Sequence, residues 1–285
     1  MRRTLKLLQD SSRQLQHPTS SSPWSPHPGL WVYPSILSTS QQRVVLRHSL
    51  ALLSSPSRTT SHARRLARNY LKAHPDHPKD TFLPPEAYEF EKGHFDGVIT
   101  GYREMLVRPG MLPKVDDELV HALAKVYSLL PPAKVVASGS TPDSQAGSSM
   151  GEHPVDPPDH LIMHLLHLSS EGEIRPHIDH LEAFGTSIVG LSLGGERMMR
   201  FRKAKQGPDQ EPEMLPEGSK NEFDVLLEPG DAYVQTWPLR TQYTHEVLRT
   251  GEYEGRLIGG SQRLSIMLRD KLPGSEGKGT ADLVV

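Results

Sequence analysis

Arg175-Pro176-His177-Ile178-Asp179 places an imidazole and a carboxylate two positions apart. In an extended segment residues i and i+2 share a face, so His177 and Asp179 can converge on one metal ion while Ile178 faces away. Pro176 fixes its own φ and drives Arg175 into extended geometry, which helps to aim the pair. A third imidazole, His245, sits in the strand-like run YTHEVL, and Arg263 follows eighteen residues later. Two imidazoles and one carboxylate on one face of a metal leave three positions open, the arrangement suited to oxygen chemistry at non-haem Fe(II). Arg263 could hold a distal carboxylate of a cosubstrate through a bidentate, charge-assisted pair.

Composition narrows the alternatives. With no Cys, disulfides, Cys-ligated zinc, iron–sulfur clusters and thiol catalysis are excluded, and any metal must use imidazole, carboxylate and water; the chain has 15 His. His164 and His167, three apart on a presumed strand, face opposite sides, so at least one of them is structural. His180 cannot share the face of both ligands and is read as an outer neighbour or exposed. HPDH at 74–77 has ligand residue types but two prolines, and reads as a solvated loop. LSLGG at 191–195 lacks the Lys and helix of a phosphate loop.

The elements that must position these residues change character along the chain. A Pro/Ser-rich linker, HPTSSSPWSPHPG, precedes an ordered start at LWVYPSIL. Helices are expected over STSQQRVVLRHSLALL, with Thr39 or Ser40 as cap, over ARRLARNYLKA ending at His74-Pro75, and over DDELVHALAKVYSLL ending at Pro131-Pro132. Residues 134–158, rich in Ser, Gly, Pro and Asp, read as a disordered insertion. From residue 160 onward eight short apolar runs, broken by SSEG, GGE, EPGD and IGGSQ, indicate an antiparallel sandwich or barrel. Pro 25 and Gly 23 make about 17% of the 285 residues, against an average of roughly 12%, which favours turn-rich β structure.

A net charge of −2 hides an asymmetry: residues 1–73 hold eleven basic residues against Asp10 alone, and the remainder holds 21 against 33 acids. An Arg- and Ser-rich, acid-poor start has the composition of a mitochondrial targeting segment. No apolar run approaches the ~20 residues that span a bilayer. The basic helix ARRLARNYLK reads as a solvated surface, with contact to RNA or anionic lipid as the alternative. The stretch 81–112 offers Phe82, Tyr88, Phe90, Phe95 and Tyr102, either as a substrate lid or as packing against the barrel, and is rich in Glu and Asp.

The runs HLLHLSSEGEIRPHID, GTSIVGLSLG, LLEPGDAYV, YTHEVL and QRLSIMLR, with YEFEKGHFDGVITGYRE upstream, resemble the AlkB family of iron- and 2-oxoglutarate-dependent dioxygenases, and within it a mitochondrial branch. The resemblance implies a mainly β (α+β) fold, a double-stranded β-helix or jelly-roll barrel with flanking N-terminal helices. It implies His177, Asp179 and His245 as iron ligands and catalytic residues. Arg263 and Tyr233 would hold the distal carboxylate of 2-oxoglutarate, and Arg269 would be the second Arg near its other end. Ser265 and Met267 stand where classical repair members carry Asn and Thr between the two arginines. The cofactors implied are Fe(II), 2-oxoglutarate as cosubstrate and O2. The expected partner is a protein or RNA substrate in the mitochondrial matrix, with duplex DNA disfavoured, no membrane span, and a link to mitochondrial stress, cell death and fatty-acid metabolism. The expected organisation is a basic targeting tail over 1–28, a dioxygenase domain over 29–273 and a disordered tail over 274–285.

Overall fold

The computed structural model describes residues 15–16, 22–113, 116–130, 155–181, 184–205 and 214–271. In chain order these give β1 (Leu15–Gln16), β2 (Trp24–His27), β3 (Leu30–Tyr33), α1 (Thr39–Leu53), α2 (Ser61–Ala73), β4 (Ile99–Val107) and α3 (Asp117–Tyr127). There follow β5 (Leu161–His177), β6 (Ile188–Gly194), β7 (Arg197–Lys203), β8 (Glu222–Leu227), β9 (Ala232–Gln235) and the short α4 (Leu239–Gln242). The last elements are β10 (Tyr243–Val247), β11 (Thr250–Tyr253), β12 (Arg256–Gly259) and β13 (Arg263–Asp270). Among the described residues no helix is long and apolar enough to cross a membrane.

Almost all strands join one continuous antiparallel path, β8-β7-β10-β5-β13-β6-β9-β3-β2, with β4 added alongside β5. The hinge of that path is β5. Its first half, Leu161 to Leu168, pairs with β13 on one side and with β4 on the other, whereas Ile174 and His177 at its far end pair with β10. One strand therefore belongs to both walls of a jelly roll, and the two apolar runs expected as separate strands are its halves. The bend between them is built on close backbone approach. A Cβ on Gly172 would lie 2.6 Å from the Gly101 carbonyl oxygen, and Gly101 itself adopts φ 62, a left-handed conformation open to Gly.

Strand alternation separates core from pocket. Leu264, Ile266 and Leu268 of β13 join Met163 and Leu165 of β5 in a core covered by Val45, Leu50 and Leu53 of α1 and Leu119, Leu123 and Val126 of α3. Each such side chain removed from water contributes about 1.5–3 kcal/mol. The intervening residues Arg263, Ser265, Met267 and Arg269 face the opposite side and line a cavity. The cap of α1 is Ser38 rather than Thr39 or Ser40: its side chain accepts from the Gln41 backbone while the Gln41 side chain accepts from the Ser38 N–H, a reciprocal capping box. His74 ends α2, as expected, and α3 ends at Ser128 before the prolines.

The amino-terminal boundary differs from the expected one. Trp24–His27 pairs with β3, and His27 is buried, stacked on Phe223 at 4.8 Å and within 3.2 Å of the Tyr243 hydroxyl. Its Pro/Ser-rich surroundings masked an edge strand, a position that tolerates proline. Residues 1–14 and 17–21, the targeting segment for the most part, lie outside the described residues, as do 131–154 and 272–285. The carboxyl end of the expected insertion packs: Val155 is buried in the helix-side core and Asp156 accepts from the Gly110 N–H at 3.0 Å.

Candidate metal centre

Cross-strand pairing brings the histidines together. His245 of β10 stands opposite His177 at the end of β5, and their ring centroids are 4.3 Å apart. Beyond His177 the chain leaves the sheet, and two residues later Asp179 turns in, its Oδ2 3.6 Å from His245 Nε2. One ligand atom from each of His177, Asp179 and His245 lies within 4.8 Å of the others. His177 Nδ1 donates to the Arg175 carbonyl at 2.9 Å, which leaves Nε2 with its lone pair free. This donor set fits a single divalent ion.

The electrostatics favour the same use. Burial pushes the Asp179 carboxyl up, but the Arg269 guanidinium, bonded to its Oδ1 at 2.9 Å, and the two imidazoles outweigh it and hold the group well below the usual carboxylate range. His245 is lowered to about 3, first by burial and then by His177, so it stays neutral and competent to ligate. Arg240, itself buried, donates from Nη1 to the Asp179 carbonyl at 2.7 Å and from Nη2 to the His180 carbonyl at 3.2 Å. It ties the loop carrying Asp179 to α4. Nothing in the sequence marked Arg240 for this role.

A cavity of 280 Å³ opens beside the three ligands and holds every expected site residue: His177, Asp179, His245, Tyr233, Arg263 and Arg269. Arg263 is buried, with its Nε bonded to the Ser192 hydroxyl at 3.0 Å and no carboxylate in contact among the described residues. Burial lowers its pKa, with Tyr233 pulling the other way. Such a cation at a pocket wall fits a carboxylate ligand. Tyr233 is nearly buried, and its ring fills the space over Gly190, where a Cβ would meet it at 2.3 Å. Burial raises its hydroxyl pKa, opposed by Arg263. Arg269 faces the same cavity but is committed to Asp179, its guanidinium 4.6 Å over the Phe184 ring.

The opposite wall carries Glu104 and His94, not singled out from sequence, together with His164. Glu104 of β4 lies 3.1 Å from His164 Nε2 and 3.9 Å from His94 Nε2, and both histidines line the cavity. His164 and Leu166 alternate onto this face of β5, a signal available from the period of two once the strand is known. His167 takes the other face and is fully buried against Phe82, Tyr88 and Phe90, so it is the structural one. His180 is exposed at the cavity, and its backbone carbonyl accepts from Arg240.

Residues 139–269 match the 2OG-Fe(II) oxygenase superfamily. Two curated relatives, both alpha-ketoglutarate-dependent dioxygenase alkB homolog 7, mitochondrial, are similar over 119 residues: that of Bos taurus at 35% identity and that of Mus musculus at 32%. In each case the match covers 41% of this chain and 48% of the relative, so the chain spans about half the length of the relatives it matches. Among solved structures, that of OsALKBH1 aligns over 87% of this chain and 100% of its own, at 15% identity and a TM-score of 0.45. Strand-paired imidazoles and a turned-in carboxylate coincide with a stretch, residues 139–269, that matches the 2OG-Fe(II) oxygenase superfamily, in a chain that is similar to AlkB homologues over 119 residues.

Proposed function

We propose that the chain is an Fe(II)- and 2-oxoglutarate-dependent dioxygenase acting on a macromolecular substrate in mitochondria. The observation that carries this reading is the pairing of His177 with His245 beside Asp179, in one cavity with a buried Arg263 that has no anionic partner among the described residues. His177, Asp179 and His245 hold the iron. Arg263, with the Tyr233 hydroxyl, receives the distal carboxylate of 2-oxoglutarate. Arg269 keeps Asp179 ionised and oriented through its bond to Oδ1, a different use from direct contact with the cosubstrate. Bound Fe(II), O2 and 2-oxoglutarate together supply the oxidising power that places oxygen on a substrate C–H bond, with 2-oxoglutarate leaving as succinate and carbon dioxide. On an N-methyl group the product then loses formaldehyde.

The substrate class we favour is a protein side chain, with single-stranded or structured mitochondrial RNA second. The matrix location rests on the basic start of the chain and on the mitochondrial relatives, and the link to stress, cell death and fatty-acid metabolism rests on the family resemblance. The test is succinate release from 2-oxoglutarate by iron-loaded protein, with and without candidate protein and RNA substrates, alongside metal content. Wild type should bind one Fe(II) and release succinate, and Asp179→Ala should lose both. Equal iron binding in Asp179→Ala would overturn the ligand assignment. Full iron loading with no succinate release would favour a non-catalytic jelly-roll regulator.

A further inference from the structure

Arg103 carries its charge into the protein without an ion pair to any anion among the described residues. It leaves β4 on the face away from the metal cavity and is 9% exposed. Its Nη2 reaches His167 Nδ1 at 3.0 Å, Nη1 makes a long contact of 3.5 Å with the Ser54 hydroxyl, and its Cζ lies 4.0 Å over the Tyr88 ring. Nε has no partner. Because His167 Nε2 faces the Gln262 side-chain oxygen at 3.0 Å, its ring proton belongs there and Nδ1 is an acceptor. Every group bonded to the guanidinium is therefore neutral. Burial lowers the pKa of Arg103 to about 10.

Arg197, which is also buried, finds its partners in the backbone: its Nη1 and Nη2 donate to the carbonyls of Ser169, Arg249 and Ser261, although its Nε, like that of Arg103, has no partner among the described residues. Arg103 has no comparable ring of carbonyls. It has instead a cavity of 590 Å³, lying between α2 and the segment around Tyr88. The helix buries none of its residues fully, yet Ala63, Ala67 and Leu71, spaced four apart, line that cavity. Arg68 and Lys72 also border it and make no ion pair among the described residues. The acid on this wall, Glu89, is bonded to Thr60 and sits 3.6 Å from His62 rather than at Arg103.

We propose that this cavity is a binding site, separate from the metal centre, for a compact organic carboxylate whose anionic group faces Arg103 and whose apolar body lies along Ala63, Ala67 and Leu71. A carboxylate supplies the charge that a buried guanidinium lacks. The volume lies within the range of small-molecule sites, and the stripe from Ala63 to Leu71 is about 12 Å long, which selects a short body over an extended one. The cations of α2 at the border add long-range attraction for the same sign of charge.

The full chain is titrated with 2-naphthoate, followed by its fluorescence, and in parallel with neutral 2-naphthamide. Wild type should bind one equivalent of 2-naphthoate, at least tenfold more tightly than the amide. Ala67→Trp, which fills the cavity from a half-buried helix position, should lose binding at least tenfold. Arg103→Met should abolish the preference for the anion, bringing the two ligands to similar affinity. Absence of saturable 2-naphthoate binding to wild type, equal affinity for the amide, or unchanged binding in Ala67→Trp would each overturn the proposal. Should Arg103→Met fail to fold, as judged by circular dichroism, the amide comparison and Ala67→Trp decide the matter.

Discussion

Arg263 and Arg269 differ in what they already hold. Arg269 already carries an anionic partner, its Nη2 being bonded to Asp179, whereas Arg263 bonds the Ser192 hydroxyl and meets no carboxylate among the described residues, so a cosubstrate carboxylate falls to Arg263. Removing a charged partner from a buried carboxylate costs roughly 2–5 kcal/mol. Arg263→Ala should therefore weaken 2-oxoglutarate binding by tens- to thousands-fold in calorimetry, and Arg263→Lys should lose less because charge is kept while the planar fork is lost. Unchanged affinity in Arg263→Ala would move the carboxylate elsewhere. Arg240 gives a second expectation. Its two bonds hold the carbonyls of Asp179 and His180, and loss of such outer support typically costs about 10–100-fold in metal affinity. Arg240→Met should show that loss in an Fe(II) titration while circular dichroism stays native. The i, i+2 spacing of His177 and Asp179 reads as one strand face, but β5 ends at His177 and Asp179 is turned in by the loop beyond it, so the two converge although only the first is in the strand. The part played by Arg240 was not legible in the sequence, since it depends on α4 meeting the end of β5, a contact between segments some sixty residues apart.

At the scale of elements, the site depends on a single bent strand. His177 reaches His245 only because β5 leaves the sheet shared with β13 and continues into the one shared with β10. Gly172 makes that passage possible, since an added Cβ would press on the Gly101 carbonyl at 2.6 Å and on the Ser169 N–H nitrogen at 3.0 Å, both backbone atoms that cannot rotate away. Gly172→Ala should destabilise the protein by about 1–3 kcal/mol, the usual cost of overpacking, measured in urea. A change below about 0.5 kcal/mol would show that the bend can relax. The turn signal SSEG suggested two strands here, and the backbone runs through it as one. Strand β4 was harder to read, because Glu104 and Arg103 sit on its two faces and leave no clean apolar alternation. The three expected helices were legible to within about three residues, α3 stopping at Tyr127 short of the prolines, because their caps are local signals.

For the molecule as a whole, charge and aromatic placement together limit what can approach the metal. A nucleotide flipped from a duplex needs aromatic surface to receive it and cations to hold the backbone it leaves. Of the aromatics in 81–112, Tyr102 is buried, and Phe82, Tyr88 and Phe90 are spent around His167, so they pack rather than present a platform. Phe95, 72% exposed, stands alone beside His94. The cavity wall next to it carries Asp96 and Glu104, while the cations in the cavity, Arg263 and Arg269, are turned inward. Beyond residue 73 the chain is strongly acidic, which opposes phosphate at long range as well. Iron-loaded protein with 2-oxoglutarate should therefore leave N-methylated bases in duplex oligonucleotides intact over a time in which a true substrate is turned over. Mass spectrometry of the digested duplex reads the outcome: efficient, 2-oxoglutarate-dependent loss of the methyl group would show that the packed aromatics and the acidic wall rearrange to admit a flipped base.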